Sequence, residues 1–373
     1  MQIEDLAKRI GVSRLADVTG LDCVGFPVVA AIRPLSRNLT VSFGKGLTPE
    51  QARLSAVMEA AELHFSERPP CPLVTATFGE LAQDRALDPV KLEQIEPFDV
   101  SKQKFSWVQG RLLHPDQPIL VPWEIVSMDF SVEARREKRV LNFGATGLAA
   151  DFTESRAVLH GLYEVIERDA HNSWNLALDD HRAETLVDLA SVHSPDVLSL
   201  SRRIKSADLQ LLIWDMTGPA GIPCYLAEVF DLVSSTPTAY VQGAAADLSP
   251  GVALRKAIAE ALQVRLTYIS GSRDDLDWSD YGCRYDHVVT NRYWVKNNVA
   301  ALRKVAAPEE VSFSSEEALR EITRRLAKAG FPTVAVVRLT AGDDPLSVVK
   351  VIVPSFSDVP DVETSHAAEE VLA

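Results

Sequence analysis

Cysteine is scarce: Cys23, Cys71, Cys224 and Cys283 lie far apart in a chain of 373 residues with no CxxC pair. Neither a zinc site nor a disulfide framework is therefore indicated, and reduced thiols are expected. Positive charge is also in deficit, with 38 Lys plus Arg against 52 Asp plus Glu and a formal charge of -14. That balance excludes a generic nucleic-acid or anionic-membrane binder, because such surfaces repel acidic proteins. No stretch approaches the roughly 18 consecutive apolar residues of a spanning helix. The N-terminus, MQIEDLAKRIGVSRLADVTG, is charged and has no apolar signal core. A soluble, cytoplasmic protein is expected. No low-complexity linker divides the chain, and 46% hydrophobic with 24% charged residues is globular composition. A single domain over residues 1–373 follows, with a short helical lead at 1–22 and a flexible tail at 355–373.

Along the chain, Gln2 to Gly20 reads as two short helical pieces around the turn at Gly11. Val24 to Ile32 and Asn38 to Phe43 read as strands, the second running into Gly44-Lys45-Gly46. A lysine between glycines can approach a phosphate with no side chain in the way, although a plain turn is the simpler account of these three residues alone. Thr48-Pro49 opens a helix that ends before Pro69. Short helices are expected near Thr77 to Arg85 and Pro89 to Ile95, and strands at Phe105 to Leu113 and Ile119 to Pro122. The charge run Arg135 to Arg139 reads as a solvated loop. Gly144-Ala145-Thr146-Gly147 leads through Thr153 into a long helix reaching about Leu178. Asp208 to Asp215 and Cys224 to Asp231 read as antiparallel neighbours, followed by a strand at Thr238 to Ala245 and a helix from Ser249-Pro250 to Gly271. A polar aromatic stretch (Trp278, Tyr281, Tyr285, Tyr293, Trp294), a helix at Ser315 to Gly330 and strands at Thr333 to Leu339 and Val348 to Val353 complete the chain. The helices and strands interleave without a strict βαβ rhythm, so the fold class is α+β with a mixed or antiparallel sheet.

Three helical stretches look like copies of one another. Stepping by four, three and four residues, they present Ser55, Glu59, Glu62 and Ser66; His160, Glu164, Glu167 and His171; and Lys256, Glu260, Gln263 and Thr267. Taken singly, each stripe is most simply the wet face of an amphipathic helix. Yet Ala56, Val57, Ala60 and Ala61 surround the first pair, and Leu162, Val165 and Ile166 the second, which points to buried helices. Carboxylates crowded there repel and take up protons unless a cation lies between them. Oxygen-only donors select Mg²⁺, which is completed by water and substrate phosphates. Lys45, Arg168, Arg265 and Arg273 could neutralise phosphate oxygens. His160 and His171 suggest a transition metal less well, because no cysteine or third histidine completes such a site.

The combination of Ser42-Phe43-Gly44-Lys45-Gly46, Ser55-x-x-x-Glu59-x-x-Glu62, Glu164-Val165-Ile166-Glu167-Arg168 and Glu260-Ala261-Leu262-Gln263-Val264-Arg265 resembles the YcaO family, from about Arg14 to Pro354. Val18-Thr19-Gly20-Leu21-Asp22, Met58-Glu59-x-x-Glu62-Leu63-His64 and Ser270-Gly271-Ser272-Arg273-Asp274-Asp275 resemble its branch that works with TfuA proteins. The resemblance implies a YcaO-type nucleotide-binding fold and an ATP- and Mg²⁺-dependent enzyme that O-phosphorylates a peptide backbone amide after a nucleophile has added to the carbonyl carbon. It implies Glu59, Glu62, Glu164, Glu167 and Glu260 as Mg²⁺ ligands. Ser55, Arg168, Gln263 and, on chemistry more than on the match, Lys45, Arg265 and Arg273 would contact ATP. No residue is assigned a catalytic role beyond these. The branch leans towards thioamide formation in a ribosomally made peptide (RiPP) or protein, with a TfuA-like partner; a homodimer is compatible with it.

Two departures stand out. Arg156 occupies a position where relatives usually carry an acid, and Asp151-Phe152 replaces Gly-Asn. A proline-rich C-terminal tail and a leader-docking domain are not evident, so another protein is expected to supply peptide recognition or sulfur. An azoline-forming cyclodehydratase, a two-metal hydrolase and a non-catalytic nucleotide-binding subunit stay open as alternatives.

Overall fold

The protein is seen in a computed structural model that describes residues 2–81, 85–135, 139–231, 240–276, 297, 302–305 and 313–356. The aromatic stretch from Trp278 to Trp294, the segment from 357 onward and Arg136 to Lys138 of the charge run lie outside the described residues.

Three antiparallel sheets alternate with three helices around a centre. The first sheet has the order β1 (Arg14–Asp17), β2 (Val28–Ile32), β3 (Val41–Lys45). The largest joins β4 (Val74–Thr77), β5 (Lys104–Leu112), β11 (Ala335–Arg338), β12 (Ser347–Ile352) and β7 (Leu148–Asp151), with β6 (Gln117–Pro122) paired to β5. The third runs β10 (Tyr240–Ala246), β9 (Cys224–Phe230), β8 (Gln210–Asp215). Helix α2 (Pro49–Ser66) packs on β2 and β3 on one side and β7 on the other. Helix α4 (Glu154–Asn175) packs on β7 and β12 and on β9 and β10. Helix α7 (Pro250–Ser270) packs on β9 and β10 and on β3. Each helix thus forms the filling between two sheets. The expected α+β class with antiparallel sheets holds.

Because side chains alternate along a strand, each sheet feeds two cores. On β2, Val29 and Ala31 join the core around α2, while Val28 and Ala30 join the one around α7. On β12, Val348 and Ile352 face the α2 side and Val349 and Val351 the α4 side. Sheets covered on both faces need apolar residues throughout, which is why these strands read as runs rather than as alternations. The same geometry explains why α2 and α7 bury residues on several sides, whereas α8 (Ser315–Lys328) buries only the stripe Ala318, Ile322 and Leu326.

Close crossings set the spacing between helix and strand. A β-carbon on Gly44 of β3 would stand 1.9 Å from the Ala56 nitrogen of α2, and one on Gly243 of β10 would stand 2.1 Å from the Ala261 nitrogen of α7. Only glycine fits at either place.

Several local expectations are corrected. Arg14–Asp17 is a strand rather than a second helical piece, because it pairs in register with Val29–Ile32. Among the described residues around Thr77 and Pro89 the helical elements are short 3₁₀ turns, Phe78–Glu80 and Pro89–Lys91; Thr77 is taken up in β4, and residues 82–84 of the expected helix lie outside the described residues. Strands β4 and β7 and helices α3 (Val132–Arg135), α5 (Asp179–Ala183) and α6 (Pro195–Ser206) are additional to the sequence reading; α1 (Ile3–Arg9) is short.

Candidate active site: a carboxylate cleft between three helices

The three polar stripes line one concavity. Its outer level holds exposed His160 and half-buried Ser55 and Lys256; its middle holds half-buried Glu59, Glu62, Glu164, Glu167, Glu260 and Gln263; its inner end holds buried Ser66, His171 and Thr267. The inner hydroxyls cost little, since Ser66 donates to the Leu63 carbonyl at 3.0 Å and Thr267 to the Gln263 carbonyl at 3.0 Å within their own helices. Measured from the glycine crossings, the third stripe is out of phase with the first. Glu59 and Glu62 follow Ala56, whereas Glu260 precedes Ala261, and this places Glu260 opposite β3, where Lys45 Nζ donates to its Oε2 at 3.1 Å.

Strands β3 and β7 each turn a free edge towards the cleft, and the carboxylates occupy the edge N–H groups. Ala150 N–H donates to Glu62 Oε1 at 2.9 Å, Gly147 N–H to Glu164 Oε2 at 3.2 Å, and the Phe43 N–H steadies Glu59. Edge hydrogen-bonding capacity that would otherwise need water or another strand is thereby used to aim acid groups inward.

These acids are held under strain of charge. Each is half-buried by accessible surface, but at the bottom of a concavity protein replaces bulk water as the near medium, and desolvation is the largest influence on all four helix α2 and α4 carboxyls. Glu59 is pushed up to about 7 by that burial, with Lys45 and Arg273 opposing and Glu260 adding. Glu164 is likewise raised to about 7, against the pull of Arg168 and Lys350. Glu62, next to Glu59 and Glu164, and Glu167, next to Glu260 and Glu164, lie well above the ordinary carboxylate range. Burial works against the Lys45 ammonium too, but Glu260, Glu59 and Glu167 outweigh it and raise its pKa. The five carboxylates are therefore linked electrostatically, Glu62 to Glu59 and Glu164, and Glu260 to Glu59, Glu164 and Glu167, with fewer cations than anions among them.

Of the cationic candidates, Lys45, Arg168 and Arg273 act on these carboxyls, Arg273 while paired to Asp275. Arg265 is placed elsewhere. It points to the opposite side of α7, where its Nε donates to Asp22 Oδ1 at 3.0 Å and ties the helix to the N-terminal lead. Gln263 and Ser55 stand on the stripes as expected. The two departures meet each other: Arg156 Nε lies 3.2 Å from Asp151 Oδ2, so the acid missing at 156 is matched by one at 151. Sequence reasoning missed the backbone donors of Phe43, Gly147 and Ala150, and it missed Lys350. A lone lysine in the otherwise apolar strand Ser347–Ile352 was the available signal for the last.

The residues fit a hard cation. The donors are all oxygens, they are crowded enough to resist full ionisation, and they come in pairs; among the described residues no three His, Cys, Asp or Glu close on one point as a ready-made cage. Mg²⁺ suits such a site, since it takes one or two carboxylates and completes its octahedron with water and phosphate oxygens. Glu59 with Glu62 and Glu164 with Glu167 are the residues that would hold it, and the class defined is that of a metal-nucleotide fold.

The chain belongs to the YcaO family: the family model described as YcaO cyclodehydratase, ATP- and Mg²⁺-binding, matches residues 43–357. ATP and Mg²⁺ are thus its cofactors, and it is of the ATP-dependent peptide-modifying class. A protein of Rhizobium leguminosarum bv. trifolii described as lying in the tfuA 3' region is 33% identical over 357 residues, covering 93% of this chain and 84% of that one. Among solved structures, YcaO from Methanopyrus kandleri bound with AMPPCP and Mg²⁺ has a TM-score of 0.71 at 21% identity, over 95% of this chain and 88% of that one. A heterocyclase in complex with substrate and cofactor has a TM-score of 0.77 at 21% identity, over 96% of this chain; the chain spans about half, 52%, of that protein's length. These structural likenesses establish the fold. No helix among the described residues is long and apolar enough to cross a membrane.

Proposed function

We propose that the protein spends ATP to convert a backbone amide of a ribosomally made peptide or protein into a thioamide, working with a TfuA-like partner. The observation that carries the reading is the convergence of five carboxylates from three helices on a cleft fringed by Lys45, Arg168 and Arg273. The likeness to the tfuA-region relative favours thioamide formation.

A sulfide equivalent adds to the amide carbon and leaves a tetrahedral oxyanion. The oxyanion oxygen bonds to the γ-phosphorus as the bond to the β-phosphate oxygen breaks and ADP departs. Phosphate then leaves with the C–O bond, the S–H proton is lost, and C=S remains. Mg²⁺, when bound, would neutralise the phosphates and withdraw charge from the reacting phosphorus. Glu59, Glu62, Glu164, Glu167 and Glu260 hold that charge in place, while Lys45, Arg168 and Arg273 orient phosphate oxygens, with Ser55 and Gln263 beside them. Lys45 Nζ lies 3.1 Å from Glu260 Oε2, so a phosphate oxygen taken up by Lys45 would exchange one anion for another on the same ammonium. The protein's contribution is alignment and preset charge.

Calorimetric titration with a non-hydrolysable ATP analogue tests the first half: binding should require Mg²⁺ and be lost in Glu59→Ala and Glu164→Ala. ATP turnover that requires both a peptide and the TfuA-like partner tests the second, and turnover of simple phosphate esters without peptide would overturn it. The family's description as a cyclodehydratase favours one further reading, azoline formation. Mass spectrometry separates them, since a thioamide product gains mass by exchange of oxygen for sulfur and an azoline loses a water.

A further inference from the structure

Strand β12 carries one charge in an otherwise apolar run. Ser347–Ile352 is buried along its whole length, and Lys350 is only 4% exposed. An ammonium taken out of water is costly, so what its charge acts on shows what it is kept for. Its Nζ donates to the Gly144 carbonyl at 2.6 Å, one of its partners. Its charge, together with that of Arg168, also opposes the burial that resists ionisation of Glu164.

Both effects meet at the Gly144–Gly147 loop. Gly147 N–H donates to Glu164 Oε2 at 3.2 Å, so the loop aims a carboxylate of the cleft. The Gly147 end is fixed by backbone. Val351 N–H donates to its carbonyl at 2.8 Å, its φ is 81°, and a β-carbon there would stand 2.2 Å from the Val351 oxygen. Helix α4 bears on the same peptide, since a β-carbon on Gly161 would stand 2.6 Å from the Gly147 oxygen. Leu148 N–H closes the turn on the Ala145 carbonyl at 2.8 Å. The Gly144 end is held instead by a side chain, that of Lys350. Consecutive residues of β12 thus secure the two ends of the loop, one through its ammonium and the other through its backbone.

We propose that Lys350 is a positioning residue for Glu164: by tying down the Gly144 end of the loop it lets the Gly147 N–H fix the direction in which the Glu164 carboxylate meets Mg²⁺. It acts from behind the cleft, through the loop, and contacts neither metal nor nucleotide. Groups that orient a metal ligand in this way commonly matter about as much to metal affinity as a weak ligand does. The inference rests on the reading of Glu164 as a residue that holds the metal.

The test titrates the full chain with Mg²⁺ by calorimetry in the presence of a non-hydrolysable ATP analogue. Lys350→Met should weaken Mg²⁺ binding about tenfold or more, while Lys350→Arg, which keeps the charge and a donor, should stay within about threefold of the parent. Ile204→Ala, a cavity in the core between α6 and α7, is the comparison: it should lower the thermal midpoint and leave Mg²⁺ affinity unchanged. Amide NMR of the metal-free protein reads the positioning directly. The Gly147 N–H signal should move in Lys350→Met in the same direction as in Glu164→Gln, and return in Lys350→Arg. An unmoved Gly147 signal or unchanged Mg²⁺ affinity in Lys350→Met, or a loss of affinity that Ile204→Ala reproduces, overturns the proposal. If Lys350→Met does not fold, the parent decides, because a Gly147 signal indifferent to Mg²⁺ with the analogue also overturns it. Glu164→Gln separates the two readings. Parent-like Mg²⁺ binding in Glu164→Gln, with Gly147 still following Lys350, upholds the loop tie and sinks the metal-holding role; weakened binding in Glu164→Gln but not in Lys350→Met sinks the positioning alone.

Discussion

Helix α2 carries acids in two contrasting settings. Immediately after its last turn, Glu67 is 8% exposed, yet its Oε1 accepts from Arg33 at 2.6 Å, from Ser36 Oγ at 3.0 Å and from the Arg37 N–H at 3.1 Å. Arg33 in turn donates to the carbonyls of Ile10 and Ala60. One and two turns earlier, Glu62 and Glu59 are more exposed but face other acids, and both resist ionisation. Depth does not distinguish the carboxylates proposed to hold metal from the structural one here. Completeness of its partners does.

Three substitutions and one pH series break or sharpen that contrast. Glu67→Ala strands the Arg33 charge in the interior and should cost about 3–5 kcal/mol, read as a lowered thermal midpoint with or without ligand. Glu164→Gln should leave the metal-free fold intact or slightly firmer, because a repelling charge is gone, yet weaken Mg²⁺-nucleotide binding about 10- to 100-fold, or ~1.4–2.7 kcal/mol. A midpoint that falls as far as in Glu67→Ala would erase the distinction.

The pH series has a definite sign. Glu59 and Glu164, raised to about 7 from 4.5, hold their protons more tightly folded than unfolded. The stability this gives is fully present below about 4.5 and is lost as pH rises through 7, so the metal-free protein should weaken across that window and Mg²⁺ with nucleotide should flatten the trend. Thermal melts with chelator and with ligand, between pH about 5 and 8, check it. The smallest effect belongs to α8, where Glu321, bonded by Arg324 and Arg325, is held down to about 2. That contribution is present above 4.5 and lost as pH falls towards 2. Because the group lies at the surface, Glu321→Gln should cost at most about 0.5 kcal/mol at neutral pH.

The helices and their stripes were legible because both depend on spacing within a few turns: Glu59 with Glu62 and Glu164 with Glu167 needed only helical periodicity. Long-range pairing was not. Nothing local in Arg14–Asp17 announces Val29–Ile32 as its partner, and nothing near Arg265 announces Asp22, 243 positions away. Strand β7 escaped notice because its four residues, Leu148–Asp151, are too few to show alternation, though the Ala150 N–H helps aim Glu62. Backbone donors carry no side-chain signature at all.

The crossings at Gly44 and Gly243 have a further consequence. They act as the shortest spacers in the ring, so the aperture between helices is set by backbone contacts that lie beside the acids, the Gly243 crossing reaching the Glu260 backbone itself. Enlarging either spacer by one methyl should pry the ring apart like a wedge. Selectivity for what enters is thus tunable from positions that never touch it.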